Sequence, residues 1–332
     1  MFRSPKFWND KNSKFVKLLR PIAKGYAFVS SISKNSVVPE KTEVPVICVG
    51  NVVTGGAGKT PTVELICNML KESSHTPHIL TSGYGGYLKN VVKVDSALHS
   101  YLQVGDEALL SATVAPTWVG KNRVNSAKAA ILTGSDVLVM DDGLQNNSIQ
   151  KDLKILVVDS GQGFGNEELF PAGPLRESVN SGLKKSDVVM IIGEENTELE
   201  NKIKGYKKDI AIYYAKMKVI DHLDIENNKV IGFCGLGYPE KFRKTLIAEK
   251  LEIVDFIAFP DHHPYTITEI QKLIKAAKNA DAKLVTTMKD YVKVPDIFKN
   301  EMLTVRVQLK LQDETFADLL DKILKTYSKE NA

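Results

Sequence analysis

The sequence predicts an α/β protein: a P-loop NTPase-like, three-layer α/β/α domain with a second, smaller α/β domain, joined by a two-stranded β linker. Three observations lead there. An apolar run at 44–49 is followed by Gly50, Gly55, Gly56 and Gly58, then Lys59-Thr60, then Val63, Leu65, Ile66, Met69 and Leu70 at roughly helical spacing. Along the chain, short apolar runs alternate with helix-period stretches, the pattern of a mainly parallel sheet. Two strand-like stretches, 212–219 and 303–311, flank a second alternating series that starts near Lys229.

The N-terminal 38 residues stand apart. They carry eight Lys/Arg (Arg3, Lys6, Lys11, Lys14, Lys17, Arg20, Lys24, Lys34) against Asp10 alone, although the whole chain of 332 residues is only +4. The body is therefore slightly acidic, which argues against a nucleic-acid enzyme and for one end that meets an anionic surface. Phe15, Leu18, Leu19, Ile22, Tyr26 and Val29 recur three or four apart, with most of the lysines on other faces. That pattern predicts a basic amphipathic, membrane-associating segment, 1–38, and equally suits a helix packed on the body. No apolar run is long enough for a transmembrane helix, and the start lacks the apolar core and cleavage site of a signal peptide. Three cysteines without a C-x-x-C pair point to a reducing compartment, with neither a disulfide framework nor a zinc site.

The next segment, 39–211, reads as the phosphate-binding domain. Strand 44–49 feeds a glycine loop whose backbone N–H groups can turn inward onto phosphate oxygens, and the following helix adds its positive end. Lys59 is placed to reach the β/γ-phosphates, and the Thr60 hydroxyl to ligate Mg²⁺. Pro61 falls in the first turn, where an N–H is not needed. The usual pattern would put glycine at position 53, where this chain has Val53; its glycines follow the variant G-G-x-G-K-T. A strand at 78–81 runs into SGYGGY. Gly105-Asp106-Glu107 opens a helical stretch, Trp118-Val119 is a short strand, and 123–132 a helix. A strand at 136–140 ends in Asp141-Asp142, the acid pair expected beside a phosphate loop for the metal ion. Strands at 154–159 and 187–192 follow, separated by the long loop GQGFGNEELFPAGPLRES. Loops of that length in compact domains are usually functional or disordered.

Segment 212–332 is expected to hold the linker strands and the smaller domain. It reads as strand 230–234, a helix from Pro239, strand 253–259, helix 266–278, strand 283–286 and a short helix. If 212–219 and 303–311 pair, the last helix, from Glu314, returns towards the first domain.

Taken in order, GNVVTGGAGKTP, SGYGG, GDEALL, DDGLQ, GFGNEELFPAGPLRE, GLGYPEKF, FPDHHPY and TTMKDYVKV closely resemble the tetraacyldisaccharide 4′-kinase family, from about residue 40 to about 295. PAGPLRE and DHH are more specific than the phosphate loop. The resemblance implies ATP- and Mg²⁺-dependent phosphorylation of the 4′-hydroxyl of the lipid A disaccharide precursor, giving lipid IVA. It places the enzyme peripherally at the cytoplasmic face of the bacterial inner membrane. The partners it implies are the lipid precursor and the anionic membrane surface, without nucleic acid, for a chain acting as a monomer.

Residue by residue, the resemblance implies that Asp106 accepts the sugar hydroxyl's proton, assisted by His262 or His263, and that Arg176 meets phosphoryl charge. Thr54, Gly55, Gly56, Ala57, Gly58, Lys59, Thr60 and Pro61, with Gln145, are the expected nucleotide contacts, and Lys59 is also expected to act in catalysis. Thr60, Asp141 and Asp142, joined by Glu107, are the expected metal side. This chain departs from the family at Ser82, Asn146 and Met288, where arginine, histidine and glutamate are usual. These departures bear on the contact with the substrate's 1-phosphate, and Lys89 or Arg123 is a candidate to supply the missing charge. Read from the residues alone, Asp106 also suits a helix N-cap, and Arg176 an ion pair with a neighbour such as Glu177. The competing function is a nucleotide-driven switch or partitioning-type ATPase, but Thr54 stands where many of those require lysine.

Overall fold

The structure, a computed structural model, describes residues 5–34, 38–221, 223, 225 and 227–330. In chain order the N-terminal body comprises α1 (Lys14–Lys34), β1 (Val46–Gly50), α2 (Lys59–Glu72), β2 (Pro77–Thr81), β3 (Val92–Lys93), α3 (Tyr101–Val104) and α4 (Asp106–Ala112). It continues with β4 (Thr117–Val119), α5 (Arg123–Leu132), β5 (Val137–Asp141), β6 (Leu153–Asp159), α6 (Val179–Lys185), β7 (Val188–Ile192), α7 (Thr197–Tyr206) and β8 (Ala211–Val219). The remainder is β9 (Lys229–Cys234), α8 (Pro239–Ala248), β10 (Glu252–Ala258), α9 (Ile267–Asn279), β11 (Lys283–Thr287), α10 (Met288–Tyr291), β12 (Met302–Val305), β13 (Val307–Leu311) and α11 (Thr315–Glu330).

Among the described residues nine strands form the large sheet, in the order β13-β8-β7-β6-β1-β5-β2-β4-β3, parallel from β8 to β4 with an antiparallel strand at each edge. Strand β1 is central, and every one of its residues is buried. Its side chains alternate between the two faces: Val46 and Cys48 enter one core, Ile47 and Val49 the other. Helices α5, α6 and α7 cover the first face through Ala127, Ala130, Leu183 and Ile203; α2 and α11 cover the second through Val63, Ile66, Phe316 and Leu320. These are the three layers. After β1 the chain crosses β5 to reach β2, then returns to lay β5 and β6 on either side of β1. The loop after β1 therefore opens at the switch point of the sheet, where ligands of such folds bind.

The small sheet, β10-β9-β11-β12, is parallel throughout. Helix α9 packs on one face through Ile270 and Leu273, and α8 on the other through Phe242 and Leu246. Helix α9 starts with a capping box in which Thr266 and Glu269 satisfy each other's backbone N–H groups.

The expected strand 303–311 is two strands. Met302–Val305 pairs with β11 in the small sheet; Val307–Leu311 pairs antiparallel with β8 in the large one, and Arg306 is the crossing. The β8–β13 pair touches both bodies: Val219 and Val307 pack on the small core, Ala215 and Leu309 in the large. Helix α11 follows β13 back to the large sheet, where Phe316 lies edge-on to Tyr213. Each such fully buried large apolar side chain contributes about 2 kcal/mol, so this helix is fixed to the first body although 212–332 reads as one segment. Helices α6 and α7 were not anticipated; both start on a side-chain cap, Ser178 and Asn196.

Helix α1 lies on the body through Val16 and Ala23, while Phe15, Leu18 and Ile22 are 60–72% exposed. The basic residues of the N-terminal arm are not all free: Lys11 pairs with Glu167 at 2.6 Å and Arg20 with Glu168 at 2.7 Å. Trp8 donates to Pro171 O at 3.2 Å, and Asn166 N donates to Trp8 O at 2.7 Å. The N-terminal arm thus holds the long loop 161–178. Arg3, and the side chains of Lys6, Lys24, Tyr26, Val29 and Lys34, lie outside the described residues. Among the described residues, no helix is long and apolar enough to cross a membrane.

Candidate active site

The phosphate loop leaves β1 and enters α2 through Gly58, whose φ of +95° is left-handed and open to glycine. Loop 161–178 supports it from outside. Thr54 N donates to Pro174 O at 2.7 Å, and Arg176 N to Val52 O at 2.7 Å. Ala57 N is spent on Gly55 O at 3.0 Å. The amides of Thr54 and Ala57, expected at the nucleotide, are therefore engaged within the protein. Those of Gly55, Gly56, Gly58, Lys59 and Thr60 meet no protein acceptor among the described residues. Pro61 sits in the first turn of α2, as its missing donor allows.

Around the loop mouth the side chains form one electrostatic unit. Thr60 Oγ1 donates to Asp141 Oδ2 at 3.2 Å. Lys59 Nζ lies 3.4 Å from Asn51 Oδ1 and 3.8 Å from Asp142 Oδ1. Arg176 Nη1 donates to Asp142 Oδ2 at 2.7 Å, so its partner is the acid of the DDG turn and not Glu177. Glu177 instead accepts from Ser181, Lys185 and Gln145. Gln145, expected at the nucleotide, gives its amide to Glu177 Oε1 and to Asn51 O at 2.8 Å, bracing the end of β1.

The two aspartates differ. Burial, and then the charge of Glu107, push Asp141 up to about 7. Burial also raises Asp142, but Lys59 and Arg176 outweigh it and hold its carboxyl below the usual range. Asp142 has a φ of +54°, a conformation that non-glycine residues adopt mainly where surroundings enforce it. Asp141 Oδ1 and Asp142 Oδ1 are buried and lack a hydrogen-bond partner. Two orphaned carboxylate oxygens beside a threonine hydroxyl suit a divalent cation that keeps waters and takes one or two carboxylates plus phosphates. Among the described residues no group of three or more His, Cys, Asp or Glu could hold a metal by itself. Glu107, expected with this set, pairs with Lys289 at 3.3 Å, while its charge still acts on Asp141.

A second cluster forms where the small sheet meets the large body. Asp106 is the first residue of α4, after Gly105, where a Cβ would come within 2.4 Å of Tyr84 O. His262 reaches it from the turn after β10, with Nδ1 2.8 Å from Asp106 Oδ2 and 3.0 Å from Oδ1. Its φ is +56°, and the Tyr84 ring lies edge-on to the imidazole. His263 does not join. It points away, 3.1 Å from Glu269, stacked on Phe259. The adjacent histidine diverges because the left-handed backbone at His262 turns the chain between them.

Asp106 is 4% exposed. Burial pushes its carboxyl up, but the hydrogen bond from His262 and the charges of Lys289 and Lys293 overcome this, and it is held low. Asp106 is therefore an ionised, oriented carboxylate. The N-cap position of α4 is Gly105, and Asp106 Oδ1 also accepts from Glu107 N at 3.0 Å in the first turn.

Sequence reading missed several participants. Lys289 and Lys293 of KDYVK face Asp106 from the small body, Lys293 being 3.8 Å from Asp106 Oδ2 and 3.0 Å from Asp290 Oδ1. Lys241 of α8 pairs with Asp159 and lies 3.4 Å from Gly56 O of the phosphate loop. All three lysines lie in motifs of the resemblance, TTMKDYVKV and GLGYPEKF, but the i, i+4 lysine spacing by itself also describes an ordinary solvated face. Arg123, a candidate replacement for the family arginine, is 5% exposed and donates to Gly120 O at 2.8 Å, which leaves little reach to a lipid phosphate.

Comparisons agree with this picture. The family described as tetraacyldisaccharide-1-P 4'-kinase matches residues 15–325. The tetraacyldisaccharide 4'-kinase of Rhodospirillum centenum is 37% identical over 97% of this chain and 96% of its own length. That of Paramagnetospirillum magneticum is 39% identical over 92% and 94%. The crystal structure of LpxK from Aquifex aeolicus, in complex with ATP, superposes with a TM-score of 0.73 at 24% identity, covering 93% of this chain and 99% of that one.

Proposed function

This chain belongs to the tetraacyldisaccharide-1-P 4'-kinase family, and from that premise we propose that it transfers the γ-phosphoryl group of ATP to the 4′-hydroxyl of a tetraacylated disaccharide 1-phosphate. The product would be lipid IVA, within lipid A biosynthesis, and the enzyme would work peripherally at the cytoplasmic face of the inner membrane as a monomer. One observation carries the reading: the Asp106–His262 pair lies beside the phosphate-loop acids, close enough that the charge of Glu107, next to Asp106, raises Asp141.

The geometry supports the following roles. A sugar hydroxyl needs a positioned base, and the Asp106 carboxylate accepts its proton while the His262 N–H holds that carboxylate in place. Lys59 and Arg176, aligned by Asp142, offer positive charge where phosphoryl charge develops. Thr60, Asp141 and Asp142 would hold Mg²⁺, which when bound neutralises β- and γ-phosphate oxygens. The free amides of Gly55, Gly56, Gly58, Lys59 and Thr60 receive phosphate oxygens. The exposed Phe15, Leu18 and Ile22 provide an apolar face for the bilayer that carries the acceptor.

The test is incubation of the purified protein with ATP, Mg²⁺ and tetraacyldisaccharide 1-phosphate. Mass spectrometry should show one added phosphate. ATP turnover at the same rate without the lipid would instead favour the switch ATPase.

A further inference from the structure

Lys289 sits at the centre of the acceptor cluster with no role assigned above. It follows β11 in the short α10, and its side chain is 20% exposed. Its ammonium nitrogen is 3.2 Å from His262 Nε2, 3.3 Å from Glu107 Oε1 and 3.5 Å from Asp261 Oδ1.

We propose that Lys289 is a positioning residue: it caps Nε2 of His262, fixes the imidazole proton on Nδ1 against Asp106, and so reserves proton acceptance for Asp106. The inference rests on the kinase reading given above and deepens it.

An ammonium has three N–H donors and no lone pair. A neutral imidazole has one N–H and one lone pair. Only one arrangement satisfies both sides of this ring: the Nε2 lone pair accepts from Lys289, and Nδ1–H donates to Asp106. The opposite tautomer would set N–H against N–H at Nε2 and a lone pair against a carboxylate at Nδ1. An imidazolium would place like charges 3.2 Å apart.

The surroundings keep Lys289 charged. Burial works against its ammonium, but Glu107, Asp261 and Asp106 more than compensate and raise it. Asp261 Oδ1 is 3.8 Å from His262 Nε2, too far to compete for that nitrogen. The other groups facing the cluster are the Tyr84 ring and Lys293, whose charge is shared between Asp106 and Asp290. No second acceptor for an Nε2 proton is within hydrogen-bond distance among the described residues.

The consequence concerns direction. With Nε2 capped, His262 cannot relay the substrate's proton onward, and Asp106 keeps it until the product leaves. His262 and Lys289 both come from the small body and Asp106 and Glu107 from the large one, so the capped ring meets its carboxylate only when the two are apposed.

The test uses full-length protein labelled with ¹⁵N-histidine, in which the His262 resonances are assigned by their loss in His262→Gln. Wild type should show Nδ1 protonated and Nε2 bare. Lys289→Met should lose this fixed tautomer, and Lys289→Arg, also a pure donor, should keep it. Turnover of Lys289→Met should fall about 10- to 100-fold with a much smaller change in the KM for ATP. That loss should vanish in the His262→Gln background, because Lys289 acts through the ring. Wild-type His262 carrying its proton on Nε2, or on both nitrogens, would overturn the proposal. So would an equal loss from Lys289→Met with and without His262. A wild-type enzyme inactive on the lipid would sink the kinase reading instead, while the tautomer is read without any substrate.

Discussion

Nδ1 of His262 lies 2.8 Å from Oδ2 of Asp106, although 156 residues separate them in the chain. One belongs to the turn after β10 in the small body, the other to the first turn of α4 in the large one. The pair is thus assembled across the boundary between two sheets, and it exists only while they stay together.

Asp106→Asn keeps the side chain's size but removes its basic carboxylate. Turnover should fall by about 10²- to 10⁴-fold, with ATP affinity much less changed. Adding His262→Ala should cost less than the product of the single losses, because the two act as a unit. His263→Ala should leave turnover within a few-fold of wild type, since that ring is on Glu269. Steady-state kinetics of the singles and doubles decide this, and a multiplicative Asp106–His262 double would refute the pairing.

Lys59→Ala should reduce phosphoryl transfer by roughly 10²-fold or more without unfolding the protein. The side chain contacts Asn51 and Asp142, not the apolar core. The check is turnover beside a thermal melt; a folded variant with near-normal turnover would remove the phosphate loop from the mechanism.

Substituting Phe15, Leu18 and Ile22 by serine should abolish sedimentation with anionic liposomes. These side chains are exposed, so the fold should survive. The substitution is a cleaner probe than deleting the arm, because Lys11 and Arg20 are tied to Glu167 and Glu168 of the loop that supports Thr54 and Arg176. Unchanged sedimentation would assign the face another partner.

Lys241→Met should loosen the apposition of the two bodies, since Lys241 joins α8 to Asp159 and the phosphate loop. Small-angle scattering should show a larger radius of gyration than wild type at equal ionic strength. An unchanged radius would mean the β8–β13 pair and the Asp106 cluster suffice.

Glu64 on α2 is pushed up to about 7 by burial. A carboxyl raised in the folded state holds its proton there after the unfolded chain has lost it. Its ionisation therefore destabilises the fold as pH rises from about 4.5 to about 7. Glu64→Gln should match wild type near pH 4 and melt higher above pH 7, by a few degrees for a gain of about 1 kcal/mol. Melting curves that stay parallel across that range would contradict the buried-acid assignment.

The phosphate loop, the acid pair and the α/β alternation were legible because each is local. Strand, glycines, Lys59 and Thr60 lie within one stretch, and the period of the apolar residues reports burial directly. The motif order carried the family resemblance for the same reason. What the tertiary structure alone decided is everything set by contact between distant segments. Two histidines in one DHH motif look alike in sequence; the left-handed backbone at His262 sends one to Asp106 and the other to Glu269. Arg176 pairs with Asp142 and not with the adjacent Glu177, and Glu107, whose charge reaches Asp141, pairs with Lys289. The stretch 303–311 reads as one strand, yet Arg306 divides it between two sheets. A sequence records which charges and donors are available. Which of them meet depends on distances fixed by packing, and in a buried site those distances decide which pairs form.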